Sequence, residues 1–156
     1  MNLILSDLDG IDSSLVFLWK MGVFFPDDPR IQKTMKSMEK VLAVPGNIGG
    51  FARFPHDPYQ FDHHLSFERY PGNPWIITTL WMAEYRIAMA KTKAELQEAE
   101  KLLVWATERA SSAGMLPEQV HPETGEHLFV SPLTWSHATF LDTVFLFAEK
   151  RKKLKK

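Results

Sequence analysis

Residues 72–85 read GNPWIITTLWMAEY, an apolar run that directly follows an asparagine and a proline. Asparagine favours the N-cap of a helix, and proline favours its first turn, where no backbone N–H is needed. The large apolar side chains then recur three and four residues apart, as on one face of a helix: Ile76, Ile77, Leu80, Trp81 and Ile87. The stretch therefore predicts a helix introduced by Asn73 and Pro74.

Two helices are predicted ahead of this one. Asp12 is the expected N-cap of a first helix, which Gly22 would end in a left-handed conformation. Asp28 and Pro29 open a second helix with the cap and proline of the central stretch. The apolar face of that second helix is Ile31, Met35, Met38 and Leu42.

Two more helices are predicted after it. Thr92 and Glu95 have the spacing of a capping box ahead of a fourth helix. Ser131 and Pro132 would cap a fifth, whose apolar stripe is Trp135, Ala138, Leu141, Phe145 and Ala148. No convincing strand pattern alternates with these helices, so the sequence predicts an all-α chain of about five helices.

Two long connections separate the predicted helices, at roughly residues 43–72 and 111–130. Helices in bundles are usually joined by about 2 to 8 residues, and connections beyond about 15 are usually functional or disordered. Both segments contain aromatic or apolar residues that can anchor them. We therefore expect ordered loops that build a site.

Composition narrows the class of protein. The 156 residues are 45% hydrophobic and 12% aromatic, which suits one globular domain. A formal net charge of -1 gives no reason to expect nucleic acid, and no apolar run approaches the roughly 20 residues of a membrane span. Cysteine is absent, which removes disulfides and thiolate metal sites, and the N-terminus lacks a secretion signal. A cytoplasmic protein without membrane contact is the expectation.

Three short motifs suggest other chemistry. LILSDLDG, residues 3–10, looks like the opening of the aspartate-nucleophile phosphatases, with Asp7 and Asp9 as catalytic residues, but the parallel sheet that such a site needs is not predicted. GNIGG, residues 46–50, lacks the lysine of a phosphate loop and is interpreted as a turn. Asp62, His63 and His64 are adjacent, and neighbouring side chains diverge, so a solvent-facing role is expected and no metal or cofactor is predicted.

Four blocks in order resemble glycoside hydrolase family 15, the glucoamylase-type enzymes. They are DSSLVFLWKMGVFFPDDPR, ARFPHDPY, GNPWIITTLWMAEY, and GMLPEQVHPETG followed by PLTWSHA, and together they cover nearly the whole chain. The resemblance implies an (α/α)6 barrel, a closed double ring of helices with a sugar site formed by long loops at one end. Residues 1–156 are then expected to form a single domain, the C-terminal half of such a barrel.

The resemblance assigns a role to Glu118. In the family, the glutamate of the Pro-Glu-Gln block is the general base that activates water against the anomeric carbon of a glucosyl residue. A glutamate with an unperturbed pKa of about 4.3 is ionised at neutral pH, as a base must be. From the residues alone, a solvated loop glutamate is the alternative.

Further contacts with the sugar follow from the same resemblance. Arg53 and Asp57 match the arginine and aspartate that contact the terminal sugar, although Phe54 stands where the family usually has tyrosine. The alternative is a local surface ion pair between Arg53 and Asp57, worth about 0 to 1 kcal/mol.

The remaining predicted substrate-binding residues are Trp75, Gln119 and Trp135. Gln119 follows the base in the same block. An indole covers apolar sugar faces while its N–H reaches a polar partner; plain helix core is the alternative, equally good for Trp75 and the better one for Trp135.

The family's general acid lies in an upstream half that this sequence does not contain, and no adjacent pair of glutamates replaces it. A ring of twelve helices of about 12 residues, joined by about 5, needs roughly 200 residues. We therefore expect one part of an inverting enzyme for α-glucans or a small α-glucoside, nearly inactive alone and associating with the missing half or with a second copy. The alternative is a non-catalytic carbohydrate-binding or interaction module.

Overall fold

The computed structural model describes residues 10–155, and Asp7 and Asp9 of the phosphatase alternative lie outside them. A 3₁₀ helix, Ser13–Val16, runs into the short α1, Phe17–Lys20. The longer helices are α2, Pro29–Leu42; α3, Ile76–Met89; α4, Lys93–Glu108; and α5, Thr134–Lys153. The expected all-α chain of five helices is confirmed. Among the described residues, no helix combines the length and apolar character needed to cross a membrane.

Two very short strands were not predicted. β1, Gln119–Val120, pairs antiparallel with β2, His127–Leu128, within the connection between α4 and α5. Two residues are too few for an alternating pattern to appear in a sequence.

The central helix is α3, and it is buried on nearly every side. Every residue from Ile76 to Tyr85 is buried. One hydrophobic cluster joins its Ile77 and Trp81 to α2 and the first helical segment. A second joins its Leu80 and Ile87 to α4 and the hairpin. A helix that is apolar all round belongs in a core, so α3 is the element on which the others assemble.

Three of the predicted caps are confirmed. Asp12 accepts a hydrogen bond from the Ser14 amide, and Asp28 accepts one from the Arg30 amide. Thr92 forms the capping box with Glu95. These caps need only local chain geometry, which explains why the sequence predicted them.

The other two predicted caps are wrong. α3 has Trp75 as its N-cap, and α5 has Leu133, neither with a side-chain cap. The Asn73 amide instead reaches Gln60 and Gln119, and the Ser131 hydroxyl lies 3.1 Å from Nδ1 of His127. Asn73 therefore bonds to partners distant in sequence, whereas Ser131 bonds to a histidine only four residues before it.

The face of α5 that the sequence predicted to be buried is exposed. Its predicted apolar stripe faces outward, with Trp135 53%, Leu141 55% and Phe145 66% exposed. The buried residues of α5 are instead Ser136, Thr139 and Thr143. Apolar periodicity predicted a helix correctly but not which face packs against α3.

A buried carboxylate links three of these helices. Glu84 of α3 has no exposed surface, forms an ion pair with Lys20 of α1, and accepts a hydrogen bond from the Thr143 hydroxyl of α5 at 3.1 Å. Burial raises the pKa of Glu84, while Lys20 and Thr143 oppose that rise. The pair is consequently a junction between α1, α3 and α5.

We expect Lys20→Met to destabilise the fold by about 3 to 5 kcal/mol near neutral pH, because it leaves the Glu84 charge buried without its partner. The pKa of Glu84 is already raised in the folded state, so protonation favours the fold as pH falls through that pKa. The loss in Lys20→Met should therefore shrink in acid. Urea unfolding at several pH values measures both effects.

Lys101→Met provides the matched control. Lys101 pairs with Glu98, and both side chains are mostly exposed, at 68% and 64%. Its free energy of unfolding should change by no more than about 1 kcal/mol at any pH. An equal loss in both variants would contradict the role assigned to the buried pair.

Candidate functional site

Several chain segments lie side by side at the N-terminal end of α3. Isolated antiparallel bridges join Ala43 to Phe51, Phe51 to Trp75, and Trp75 to Gln119, and Gln119 pairs with Leu128 in the hairpin. The Trp75 amide donates to the Phe51 carbonyl at 3.0 Å. This backbone ladder brings both long connections to one place.

Two side chains of α3 hold the Phe51 segment of the ladder by hydrogen bonds. The Phe51 amide donates to the Thr79 hydroxyl at 3.0 Å, and the Thr78 hydroxyl donates to the Phe51 carbonyl. Gly50, at φ +85°, allows this approach, because a Cβ there would lie 2.6 Å from Trp105 and 2.9 Å from Pro74. Residues 46–50 thus form a turn, as interpreted from the sequence, that packs tightly on the start of α3.

Arg53 and Asp57 form a two-pronged ion pair beside the ladder. Arg53 donates from Nε and Nη2 to the two carboxylate oxygens of Asp57, each at 2.8 Å, and the Tyr59 amide adds a third hydrogen bond at 3.1 Å. Asp57 is only 1% exposed. The local ion pair expected as the alternative is therefore present, but it is not a fully exposed one, since Asp57 is buried while Arg53 is 32% exposed. Asp57 raises the pKa of Arg53.

Aromatic rings surround the Arg53 guanidinium. Its central carbon lies 4.4 Å from the Trp75 ring centroid, 5.0 Å from that of Phe54 and 5.1 Å from that of Tyr59. Cations are attracted to such faces at distances up to about 6 Å. We call Phe54, Tyr59 and Trp75 the aromatic cage. Among the described residues, the buried Nε1 of Trp75 has no hydrogen-bond partner.

Glu118 lies next to this cage. Its amide donates to the Val130 carbonyl at 2.8 Å, and its carbonyl accepts from the Ile76 amide at 3.1 Å, so its backbone is tied to the hairpin and to α3. Burial raises the pKa of Glu118, whereas Gln119 and Arg53 lower it. Burial also raises the pKa of Tyr59, and the charge of Glu118 adds to that rise. The carboxylate can thus accept a proton beside a fixed cation.

Gln119 is completely buried behind Glu118. Its Nε2 lies 3.4 Å from Oε2 of Glu118, and its Oε1 accepts a hydrogen bond from the Asn73 amide at 2.9 Å. Its side chain therefore contacts Glu118 and Asn73, and it presents no surface to solvent.

The sequence relatives and the similar solved structures of this chain are glycosidases. No family model matches the chain. It is 36% identical over 145 residues to an uncharacterized glycosyl hydrolase of Methanocaldococcus jannaschii, covering 86% of this chain and 22% of that protein. It is 30% identical over 135 residues to a glucoamylase of Clostridium sp., covering 84% of this chain and 18% of that protein.

The fold matches the crystal structure of a bacterial glucoamylase complexed with acarbose. The TM-score is 0.74 at 27% identity, over 89% of this chain and 20% of that one. The chain belongs to the glucoamylase-type glycosidases. It spans about a fifth of the length of these relatives. The expected fold class of this family, part of an (α/α)6 barrel, is confirmed by the structural match.

Of the six positions predicted from the glucoamylase-type resemblance, five come together, and the sixth, Trp135, has its ring contact elsewhere. Glu118, Arg53, Asp57 and Trp75 share the site, with Gln119 directly behind it. Trp135 contacts Trp81 with ring centroids 5.8 Å apart, on the exposed face of α5. Trp75, at 4% exposure, is largely buried, whereas Trp135 is not a core residue.

Sequence reasoning missed three residues of the site. Tyr59 forms the far side of the cage, and Phe129 lies edge-on to it with ring centroids 5.4 Å apart. Asn73 was predicted only as a cap. Tyr59 ends the ARFPHDPY block, which was a signal, whereas Phe129 and Asn73 became visible only through tertiary contacts.

The histidine cluster proved closer than expected. Ligand atoms of Asp62, His63 and His64 lie within 4.8 Å of one another, and His121 from the other connection lies 3.5 Å from Asp62. His63 is 85% exposed, in keeping with the solvent-facing role expected for it. The argument that adjacent side chains must diverge was wrong, because the tight turn at Asp62 brings the two imidazole rings together.

The charges of the site predict opposite shifts in the pKa of Glu118. Asp57→Asn should lower it, because the charge of Asp57 raises that pKa, and Arg53→Gln should raise it, because the guanidinium lowers it. NMR titration of carbon-13-labelled glutamate side chains measures both shifts. Asp62→Asn is the control, since Asp62 is not among the charges that shift Glu118. A shift of the same sign in both site variants would contradict this arrangement.

Proposed function

We propose that this chain forms the base-bearing part of an inverting glucoamylase-type glycoside hydrolase that acts on α-glucosidic bonds. The carrying observation is that the ladder places Gln119 beside Trp75 of the cage, so that Glu118, from one long connection, lies near enough to Arg53, Asp57 and Tyr59 from the other for their charges to act on one another. Glu118 is proposed as the general base. Because burial raises its pKa, activity that needs the ionised form should fall as pH drops through that raised value.

The proposed reaction also requires a general acid. In an inverting enzyme, two carboxyl groups stand about 6.5 to 9.5 Å apart, and one protonates the leaving oxygen while the other activates water. Asp57 already accepts three hydrogen bonds from Arg53 and the Tyr59 amide and is buried, which suits anchoring more than proton donation. We propose that the acid comes from another part of the barrel, and that residues 1–156 form its C-terminal half.

The substrate is proposed to be an α-glucan or a small α-glucoside. Arg53, with its remaining Nη1 outside the ion pair, offers a donor to sugar hydroxyls, and the buried N–H of Trp75 has no partner within residues 10–155. The cage rings suit the apolar face of a sugar. A relative named glucoamylase and a similar fold seen with acarbose support this class of ligand. Gln119 has no exposed surface, so its proposed substrate role is indirect, through its contact with Glu118, whereas Trp135 is proposed to offer an exposed indole to the sugar.

We expect the chain alone to show little or no hydrolysis of maltose, isomaltose, trehalose or soluble starch. A base without a positioned acid leaves the sugar leaving group unprotonated, and general acid catalysis contributes about 10² to 10⁴-fold. Adding the upstream half of the barrel should restore turnover, which Glu118→Gln should abolish. Glucose release is the measurement.

Glu126→Gln is the control for that experiment, since Glu126 is an exposed glutamate of the same connection. It should leave restored turnover unchanged. Vigorous hydrolysis by the chain alone would place the acid within it and overturn the proposal.

A non-catalytic carbohydrate-binding module is the second candidate. It is favoured by a site that offers, among the described residues, an aromatic cage, a cation and a single carboxylate besides the one paired with Arg53. Acarbose binding to the chain, with no turnover after the upstream half is added, would support this candidate over the enzyme.

The outward face of α5 supports a partner. Trp135, Leu141, Val144 and Phe145 are exposed on it, and Met21, Val23 and Phe25 are exposed just after α1. Contiguous apolar surface of more than a few hundred Å² usually marks an interaction site. The proposed partners are the remaining barrel helices or, in their absence, a second copy of the chain. The first helix, around Leu15, Val16 and Trp19, was also expected from the sequence to contact a partner; Leu15 and Trp19 are half-buried and Val16 has no exposed surface, so it offers less apolar area than α5.

Sedimentation velocity over a range of concentrations should show association of the chain. Phe145→Lys should weaken it, because a charge on the α5 stripe opposes burial of that face. Val104→Lys is the control, at an apolar residue on α4 that is 47% exposed. A compact monomer at every concentration would contradict the prediction.

A further inference from the structure

Asn73 does not cap α3, so its buried position needs another explanation. It lies in the segment that leads into α3 and is 1% exposed. Its Nδ2 donates to the Gln60 carbonyl at 2.9 Å and to Oε1 of Gln119 at 2.9 Å, with the Tyr59 carbonyl at 3.5 Å. Its Oδ1 is buried and has no hydrogen-bond partner among the described residues. Every hydrogen bond of this side chain therefore uses its donor end.

The orientation of Asn73 follows from its backbone partner. A carbonyl oxygen only accepts hydrogen bonds, whereas an amide side chain has one donor end and one acceptor end. Turning Asn73 over would place its own oxygen against the Gln60 carbonyl and against Oε1 of Gln119. The Gln60 carbonyl thus determines which end of Asn73 faces Gln119.

The orientation of Gln119 follows in turn. Because Asn73 donates to its Oε1, the other end of the amide, Nε2, is directed to the Glu118 carboxylate. A reversed Gln119 would face its oxygen toward Glu118 and its NH₂ group toward that of Asn73, which pairs two acceptors and two donors. Gln119 has no exposed surface, so a reversed amide could not replace the lost hydrogen bonds with bonds to water.

We infer that Asn73 is a positioning residue that orients the Glu118 carboxylate through the buried amide of Gln119. We call the hydrogen bonds that run from the Gln60 carbonyl through Asn73 and Gln119 to Glu118 the relay. The Gln60 carbonyl at its start sets the direction of each bond. The same amide holds Gln60, which directly follows Tyr59, so one side chain fixes the cage and the carboxylate relative to each other. The relay rests on the proposed function only for its catalytic meaning, because the orientation of Glu118 exists whether or not it acts as a base.

The test is a double-mutant cycle read at Glu118. Two charged groups act on Glu118, namely Arg53 and Asp57, and both stay unchanged in these variants. Tyr59, which Glu118 affects, also stays unchanged. Asn73→Leu removes the donor at similar volume, and Gln119→Leu removes the contact with the carboxylate. Each single change should raise the pKa of Glu118, measured by NMR with labelled glutamate. The double variant should raise it no further than Gln119→Leu alone.

A spectroscopic signature separates the relay from a merely structural role. In the unchanged chain, the Nε2 protons of Gln119 should shift with pH as Glu118 titrates, and in Asn73→Leu that coupling should be lost. Asn47→Leu, at an exposed asparagine, is the control and should leave both readouts unchanged. Asn73→Ser repeats the test with a smaller side chain if the leucine variant does not fold.

Two results would overturn the inference. Additive shifts in the double variant would mean that Asn73 acts on Glu118 by a route other than Gln119. A lower melting temperature with an unchanged Glu118 titration would mean that Asn73 only stabilises the fold. Failure of the proposed function would look different, because Glu118→Gln would then retain turnover in the restored enzyme while the cycle at Glu118 stayed intact.

Discussion

The backbone ladder at the N-terminal end of α3 is the constraint on which the site depends. Phe51, Trp75 and Gln119 are successive neighbours in it, so the segments that carry Arg53 and Glu118 lie on either side of the Trp75 segment and are each hydrogen-bonded to it. Backbone groups buried in loops must find partners, and here they find them in each other and in Thr78 and Thr79. The long connections are ordered for this reason.

Arg53 is the centre of charge in the site. It is held by Asp57 through two hydrogen bonds, faced by three aromatic rings, and lowers the pKa of Glu118, which burial raises. Fixed geometry matters more here than the strength of any one contact, because a preorganised cation needs little rearrangement when the charge on its neighbour changes. The buried Asp57 serves that geometry by fixing the guanidinium.

The body of the fold shows a similar use of polar contacts. α5 packs on its neighbours through Ser136 and Thr143, whose hydroxyls bond to the Pro117 carbonyl and to Glu84. Its Phe140, Leu146 and Phe147 pack, partly buried, against the second hydrophobic cluster, whereas the predicted stripe of Trp135, Leu141 and Phe145 stays exposed. A helix with an apolar outer stripe and satisfied inner hydroxyls has one face for this chain and another for a further surface, in keeping with a segment related to larger enzymes.

The sequence by itself determined the helices, three of their caps, and the residues of the site that stand in recognisable blocks. Asp12, Asp28 and Thr92 act within a few residues of themselves, and helical periodicity is likewise local, so neither depends on the remainder of the chain. The ARFPHDPY and LPEQ blocks indicated Arg53, Asp57 and Glu118, whose roles stay predictions.

Only the tertiary structure decided where each side chain of those elements turns. The ladder carried Asn73 away from the helix it was expected to cap and placed it against Gln119, and contact with Glu84 turned the hydroxyls of α5 inward in place of its apolar stripe. In each case, a side chain can bond either to a neighbour in sequence or to a residue that is distant in sequence. The distant partner exists only after the chain has folded, so no local pattern could reveal which would win.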